Sequence, residues 1–559
     1  MFNRTRCLQI TAALASISLL AGCGVLSDDS GDDAKRIVVG TTSAPSTLDP
    51  AAAWDGSWEL YRNVYQTLLA FPTGSLKPQP DAAQNCEFTD SKNESYRCTL
   101  RKGLRFSNGE PLDSKAVKHS LDRIRTIGSK VGPKDLFGTL DKIETPDALT
   151  VVFHLNTPDA TFPYVLGSPA ASLVAPKDYP ADKVREDGKV TGSGPYVLDA
   201  YKEGGEAVLG RNGSYAGFAN RKNNGVTIRY FTDSVKMVAA LKAKEIDATY
   251  RGLSAPEIKD LQTPASHELG VQVVENVGAE IRYLVFNPKD PQVNKLAVRQ
   301  AIAQVIDRGV LVSKVYQGTA EPLYSMVPKG VVGHKTPFFD KYGHADVKKA
   351  QKILKDAGIT QPVDLTFWYT TDRYGSSTAE EFTELKRQLD ESNLFRVTLR
   401  GQPWKDFQVG YKNQEYPVFG RGWFPDFPDP DNFIAPFVGK ENAVGTPYEP
   451  AQIINELLPK TRREGDRAAG VVQFEQAQQI FAEDVRLLPL WQGKLYVAAR
   501  EDVAGGERAL DPQTAMQMWE LYRKTSWLPQ RPTRAVEALS VAPGRFWSSC
   551  TNLYRRLSP

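Results

Sequence analysis

Residues 422–433 read GWFPDFPDPDNF, with four aromatic rings, three aspartates and three prolines in twelve positions. Asp426, Asp429 and Asp431 are the best candidates in the chain for paired carboxylates doing acid–base work. Acid and proline together also make turns, and Asp431 stands where it would cap a helix begun by NFIAPF. Neither use accounts for the rings. A core takes Trp and Phe but not three carboxylates, and a turn takes Pro and Asp but not Trp. A pocket that holds an apolar body with a positive end takes both.

Other reactive patterns are missing. The five histidines, His119, His154, His267, His334 and His344, form no HExxH and no tight His/Cys pair, so no metal site is expected. There is no GxxxxGK[ST], and TGSGP (191–195) is a tight turn rather than GxSxG. No nucleophile stands beside a base. The expectation is a binding protein with no cofactor, not an enzyme.

The elements that would carry such a pocket alternate between strand and helix. RIVVG (36–40), LTVVFHL (149–155), VTIRYF (226–231) and DLTFWY (364–369) read as strands. Helical spacing of apolar residues runs through 58–69, 234–246, 295–316 and 346–359, the last stopped by Gly358. Alternation over hundreds of residues means α/β. With 559 residues the chain exceeds one ordinary domain and should form several structural units. Apolar residues at 41% and charged residues at 24% fit a soluble globular protein. The net charge of +3, with signs interleaved, leaves no basic stripe for nucleic acid.

The N-terminus reads as an export signal: Arg4 and Arg6, an apolar run from Leu8 to Ala21, then LAGC at 20–23. LAGC resembles the bacterial lipobox, which implies a signal peptide over 1–22, acylation of Cys23 and a polar tether over 23–36. Cys86 and Cys98 flank a polar DSKNES hairpin tip and are expected to form a disulfide, the alternative being two free thiols. Residues 528–559 form a basic tail without clear periodicity.

Several segments, in order, resemble the family 5 solute-binding proteins of ABC importers. They are TLDPAAA (47–53), YRCTLRKGLRFSNGEPLDSKAVKHSLDRI (96–124), TGSGPYVLDAY (191–201), ALKAKEIDA (240–248), VFNPKDPQVNKLAVRQAIAQVIDR (285–308) and AQKILKDAGI (350–359). Two departures are Ser193 in the GTGPY-like turn and RNGSYAG (211–217), which lacks the usual Trp. The resemblance implies the two-lobed, hinged periplasmic-binding-protein fold of type II. Lobe I would take 37–66, 190–285 and 494–527, an extra third domain on it 67–189, and lobe II 286–493.

The resemblance also implies a function. A monomer exported to the outer face of the cytoplasmic membrane, held there by lipid on Cys23, would capture peptides, oligopeptides foremost, in an interlobe cleft and deliver them to an ABC transporter permease. The alternative is another solute in the same fold, such as an oligosaccharide, an opine-like compound or a metal chelate. In peptide-binding members a Trp followed three residues later by Asp holds the ligand's ammonium, and here the pair is Trp423 and Asp426. Gly422 and Phe424 would run beside the extended ligand, and Trp54, Asp55 and Gly56 along its other side. Trp404 and Trp491 would border side-chain pockets, although Trp54 and Trp404 also fit a plain core role. Arg373 matches a region where dipeptide binders pair the ligand carboxylate. Arg421 is one residue out of register with the basic position of oligopeptide binders, which is Gly420 here.

Overall fold

Among the described residues, three sheets of four or more strands carry the fold, beside two two-stranded ones. The computed structural model describes residues 36–54 and 57–524. The expected signal peptide, Cys23, the tether up to residue 35, Asp55, Gly56 and the 528–559 tail lie outside the described residues. All elements below belong to the unit that ends at Arg523.

The first sheet has seven strands, in the order Val271–Asn276, Leu495–Arg500, Ala248–Thr249, Ile37–Thr41, Gly225–Tyr230, Glu206–Arg211 and Tyr196–Lys202. Ile37–Thr41 runs parallel to both neighbours and is buried at every position but Val38, as its unbroken apolar run demands. The second sheet has six strands, in the order Ala320–Pro322, Leu487–Gly493, Ile281–Phe286, Val418–Trp423, Val363–Thr370 and Phe395–Gln402. Its largest buried cluster spans residues from Ile281 to Trp491. Ile281–Phe286 pairs only within this second sheet, although the sequence expectation ended the first lobe at 285. The third sheet has four strands between Ala83 and Leu155, and Cys86 faces Cys98 directly across one hairpin. The two sulfurs are bonded.

The helices differ from the periodicity in instructive ways. The 58–69 pattern yields a helix only over Trp58–Val64. Tyr65 turns extended there, and its hydroxyl bonds Tyr179 and the Leu48 carbonyl. The TGSGP turn caps the same end: the Gly194 amide donates to the Val64 carbonyl at 3.0 Å. A Cβ on Gly192 or Gly194 would fall 2.1 or 2.5 Å from that carbonyl group, so these glycines are set by close approach of backbone. The 295–316 pattern is two helices, Leu296–Val305 and Arg308–Val315. Ile306 breaks the first with extended backbone, and Asp307 caps the second by accepting from the Val310 amide. Helix Val347–Asp356 ends as expected at Gly358, whose φ is +72°.

Candidate functional site

The GWFPDFPDPDNF segment begins as the end of strand Val418–Trp423. One side of that strand is paired along its length with Ile281–Phe286. On its other side only Val418 and Phe419 pair, with Phe367 and Trp368. From Gly420 to Trp423 that edge has no ladder partner. Side chains alternate, so Arg421 and Trp423 share one face and Gly420 and Gly422 the other.

After Trp423 the three aspartates do three different jobs. Asp429, not Asp431 as the sequence reading had it, caps the short helix Pro430–Phe433 by accepting from the Asp431 amide. Asp429 also takes a two-pronged ion pair from Arg467 at 2.7 and 3.0 Å. Asp431 is held by Arg462, with both contacts at 2.9 Å. The cap sits earlier because the turn starts at Pro430, a residue suited to the first helical position.

Asp426 receives no such cation. Its Oδ1 accepts from Trp54 Nε1 at 2.8 Å, and its Oδ2 accepts from Asn432 Nδ2 at 2.9 Å. Asn432 Oδ1 in turn accepts from Trp423 Nε1 at 3.1 Å and from the Asp426 amide at 2.9 Å. Gln513 donates to the Asp426 carbonyl and accepts from buried Arg62. Among the described residues no Lys, Arg or His pairs with the Asp426 carboxylate. Burial pushes its pKa above the usual aspartate range, and the bonds from Asn432 and Trp54 offset only part of that.

Asp426 borders a chamber of about 210 Å³. Trp54, Trp404, Trp423 and Phe424 give it aromatic walls, with Gly422 between them. Arg421 and Arg373 also line it. Arg421 is 7% exposed, stacks 4.3 Å from the Tyr411 ring and 5.5 Å from Trp404, and donates to the Ala443 carbonyl at 3.2 Å. Arg373 lies on an exposed loop with its guanidinium 5.2 Å over Trp404. Among the described residues neither arginine forms an ion pair with a carboxylate. The chamber thus joins, among the described residues, one partly buried anion lacking a cation to two cations lacking an anion. Its lining, among the described residues, includes no Ser, Cys, His or Lys.

Eight of the anticipated residues meet at this chamber: Trp54, Arg373, Trp404, Arg421, Gly422, Trp423, Phe424 and Asp426. Trp491 does not border it. It lies 5% exposed behind the wall, 4.2 Å from the Tyr316 ring, with Nε1 bonded to the buried Glu381 at 3.1 Å. Trp58, Tyr374 and Gln513 were not anticipated and do border it. Trp58 follows the helical apolar pattern of its segment, and Tyr374 adjoins Arg373, but nothing in DPQTAMQMW marks Gln513.

Two sheets with an aromatic chamber on the strand ends of one and a loop of the other define a two-lobed α/β solute-binding fold. The profile of the bacterial extracellular solute-binding proteins, family 5 (middle region), matches residues 77–445, and the chain belongs to that family. The probable D,D-dipeptide-binding periplasmic protein DdpA of Escherichia coli K12 is 27% identical over 491 residues, which cover 84% of this chain and 90% of that protein. The glutathione-binding protein GsiB of the same organism is 24% identical, over 84% of this chain and 92% of its own length. Among solved structures, the ABC transporter-associated periplasmic binding protein DppA of Helicobacter pylori, in complex with the peptide STSA, superposes with a TM-score of 0.73 at 22% identity. That match covers 88% of this chain and 99% of the other.

Proposed function

We propose that the protein is an extracytoplasmic receptor that captures peptides in the chamber around Asp426 and delivers them to an ABC transporter permease, without chemical change. One observation carries this reading: a partly buried carboxylate in the chamber wall that is hydrogen-bonded by neutral donors and, among the described residues, has no cation. A peptide's α-amino group is charged at neutral pH. Its ammonium supplies what Asp426 lacks, and the buried pair compensates both desolvation costs. The unpaired edge at Gly420–Trp423 lets an extended main chain add as a strand, which gives affinity without reading side chains. Arg421 and Arg373 are the partners for a ligand carboxylate.

The relatives named for dipeptides and glutathione, and the neighbour seen with STSA, support peptides over sugars. Lobe I then comprises 37–66, 190–280 and 494–523, the extra domain 67–189, and lobe II 281–493, so that strand Ile281–Phe286 stays with its own sheet. Export and lipid anchoring through Cys23, as a monomer, complete the assignment.

The test compares a free-amine peptide with its N-acetylated form by calorimetry. Asp426→Ala is expected to weaken the free-amine peptide about tenfold or more, since it strands a buried charge. Acetylation should cost the wild type a similar amount and the variant little. An equal loss for both peptides would remove Asp426 from its role. Native mass spectrometry of the soluble form, cut after Cys23, should release a ladder of peptide masses. A single non-peptide mass would turn the reading to another solute.

A further inference from the structure

The chamber around Asp426 does not stand alone. A second cavity, of about 550 Å³, shares Trp58, Arg373, Tyr374 and Phe424 with it. The second cavity is the more polar of the two, edged by hydroxyls such as Thr42, Ser43 and Ser254 and by charged groups such as Asp233, Arg251 and Lys494. The first lies below the roughly 300–1,000 Å³ of ordinary ligand sites, and the second falls within that range. The shared residues form a wall between them.

Tyr374 is a loop residue of that wall whose ring is held by side chains. It sits in the loop between strand Val363–Thr370 and helix Thr378–Glu391, next to Gly375 at φ +96°. The neighbouring loop residues are exposed. Yet the ring is clamped. The Arg282 guanidinium lies 4.1 Å from its centroid, and Trp404 meets it at 5.9 Å with the planes 70° apart. Arg282 is 5% exposed and is fixed from behind by its ion pair with Glu280 and by Trp491 at 5.1 Å. Trp491 is tied in turn to the buried Glu381. Gly422 makes room for this stack: a Cβ there would lie 2.2 Å from Arg282 Nη1 and 3.0 Å from Tyr374 Cε1. A loop tyrosine seated on a buried arginine, with a glycine opposite to admit it, is a built feature.

We propose that Tyr374 is the residue that sets ligand length, its ring closing the Asp426 chamber so that short zwitterionic peptides end against Arg421 and Arg373 instead of running on into the polar cavity. Arg282 is the positioning residue that holds the ring. The proposal rests on the peptide reading above and deepens it. A ligand anchored by its ammonium at Asp426 is measured from that point, so the wall's distance becomes a count of residues. Without the ring, the two cavities merge, and a longer main chain passes into a space whose hydroxyls can solvate it.

The experiment measures affinities for di-, tri-, tetra- and penta-alanine by calorimetry, in wild type, Tyr374→Ala and Tyr374→Phe. Wild type is expected to favour the shorter peptides over penta-alanine by roughly tenfold, the discrimination that steric fit supplies. Tyr374→Ala should erase or invert that preference. Tyr374→Phe keeps the ring and should keep the wild-type profile. Overturning results are an unchanged length profile in Tyr374→Ala, an equal change at all lengths, or a Phe variant that behaves like Ala. Each of these leaves the peptide reading standing. If wild type binds none of the four peptides, the peptide reading falls and this inference falls with it.

Discussion

At the scale of single residues, the behaviour of Asp426 is set by what surrounds its carboxylate. Burial raises its pKa, so the unliganded fold holds the proton at a higher pH than the unfolded chain does. Through this group the unliganded protein gains stability on the acid side, and loses it as pH rises through the raised value. Ammonium binding runs the other way, because only the ionised form can pair. Affinity for a free-amine peptide should therefore fall on acidification, starting above the pH at which an ordinary aspartate protonates. Calorimetry across pH checks this. The dependence should vanish in Asp426→Asn and for an N-acetylated peptide, and its persistence in the variant would assign it to another group. The site itself was partly legible in sequence. Trp423 and Asp426 stood out because aromatics and acids seldom share a Pro-rich turn. Gln513 did not, because it reaches Asp426 from 87 residues away through its own backbone position, which no local pattern encodes. Trp491 misled because a Trp near the chamber in sequence turns its indole towards Glu381 and Tyr316 instead.

At the scale of elements, the 422–433 turn keeps its shape through two ion pairs, of which Arg467–Asp429 is buried and Arg462–Asp431 partly exposed. Arg467 and Asp429 have side chains only 4% and 1% exposed. Breaking such a pair from one side leaves a charge buried alone, which costs about 3–5 kcal/mol. Arg467→Met should lower unfolding stability by that order in urea titration and weaken peptide binding as the turn loosens; a loss under about 1 kcal/mol would mean that solvent reaches Asp429 freely. The Cys86–Cys98 hairpin behaves differently. Its loop spans a separation of 12 residues, and closing a loop of that size stabilises by about 3 kcal/mol through the unfolded chain. The double change to Ser should lower stability by about that amount and leave peptide affinity unchanged, since neither sulfur borders the chamber. Such local features read well from sequence. The hairpin, the buried strand 37–41 and the Gly358 stop are all encoded within a few residues. Helix ends fared worse where distant backbone intervenes. Nothing near Val64 announces that the 191–195 turn will take its carbonyl, and the apolar period of 295–316 runs unbroken through Asp307, whose capping bond interrupts it.

At the scale of the whole molecule, the first and second sheets are joined by two short connections, between Asn276 and Ile281 and between Gly493 and Leu495. They lie side by side: the Gly493 amide donates to the Glu280 carbonyl at 2.9 Å, and a Cβ on Gly278 would fall 2.1 Å from the Gly493 carbonyl. Two adjacent short strands allow bending with little other backbone to disturb, as hinged closure requires. Away from the hinge, further contacts join the two sides: the Ala160 amide donates to the Arg462 carbonyl at 2.9 Å, and the Phe427 ring lies 6.1 Å from that of Tyr164. The bond from Trp54 to Asp426 and that from Gln513 to the Asp426 carbonyl tie the first-sheet side to the second. A hydrogen bond to a charged group contributes about 1.5–3 kcal/mol. Trp54→Phe keeps a ring against Trp58 but removes the donor. It should shift the unliganded population towards the open form, and apparent affinity should fall by the lost closed fraction, about tenfold. Because closure precedes any reading of the ligand, the loss should be the same for peptides of every length, unlike the effect of Tyr374→Ala. Small-angle scattering should give a larger radius of gyration for the unliganded variant than for wild type, with the two converging at saturating peptide. Equal radii before ligand, together with equal affinities, would show that Trp54 lines the chamber without helping to close it.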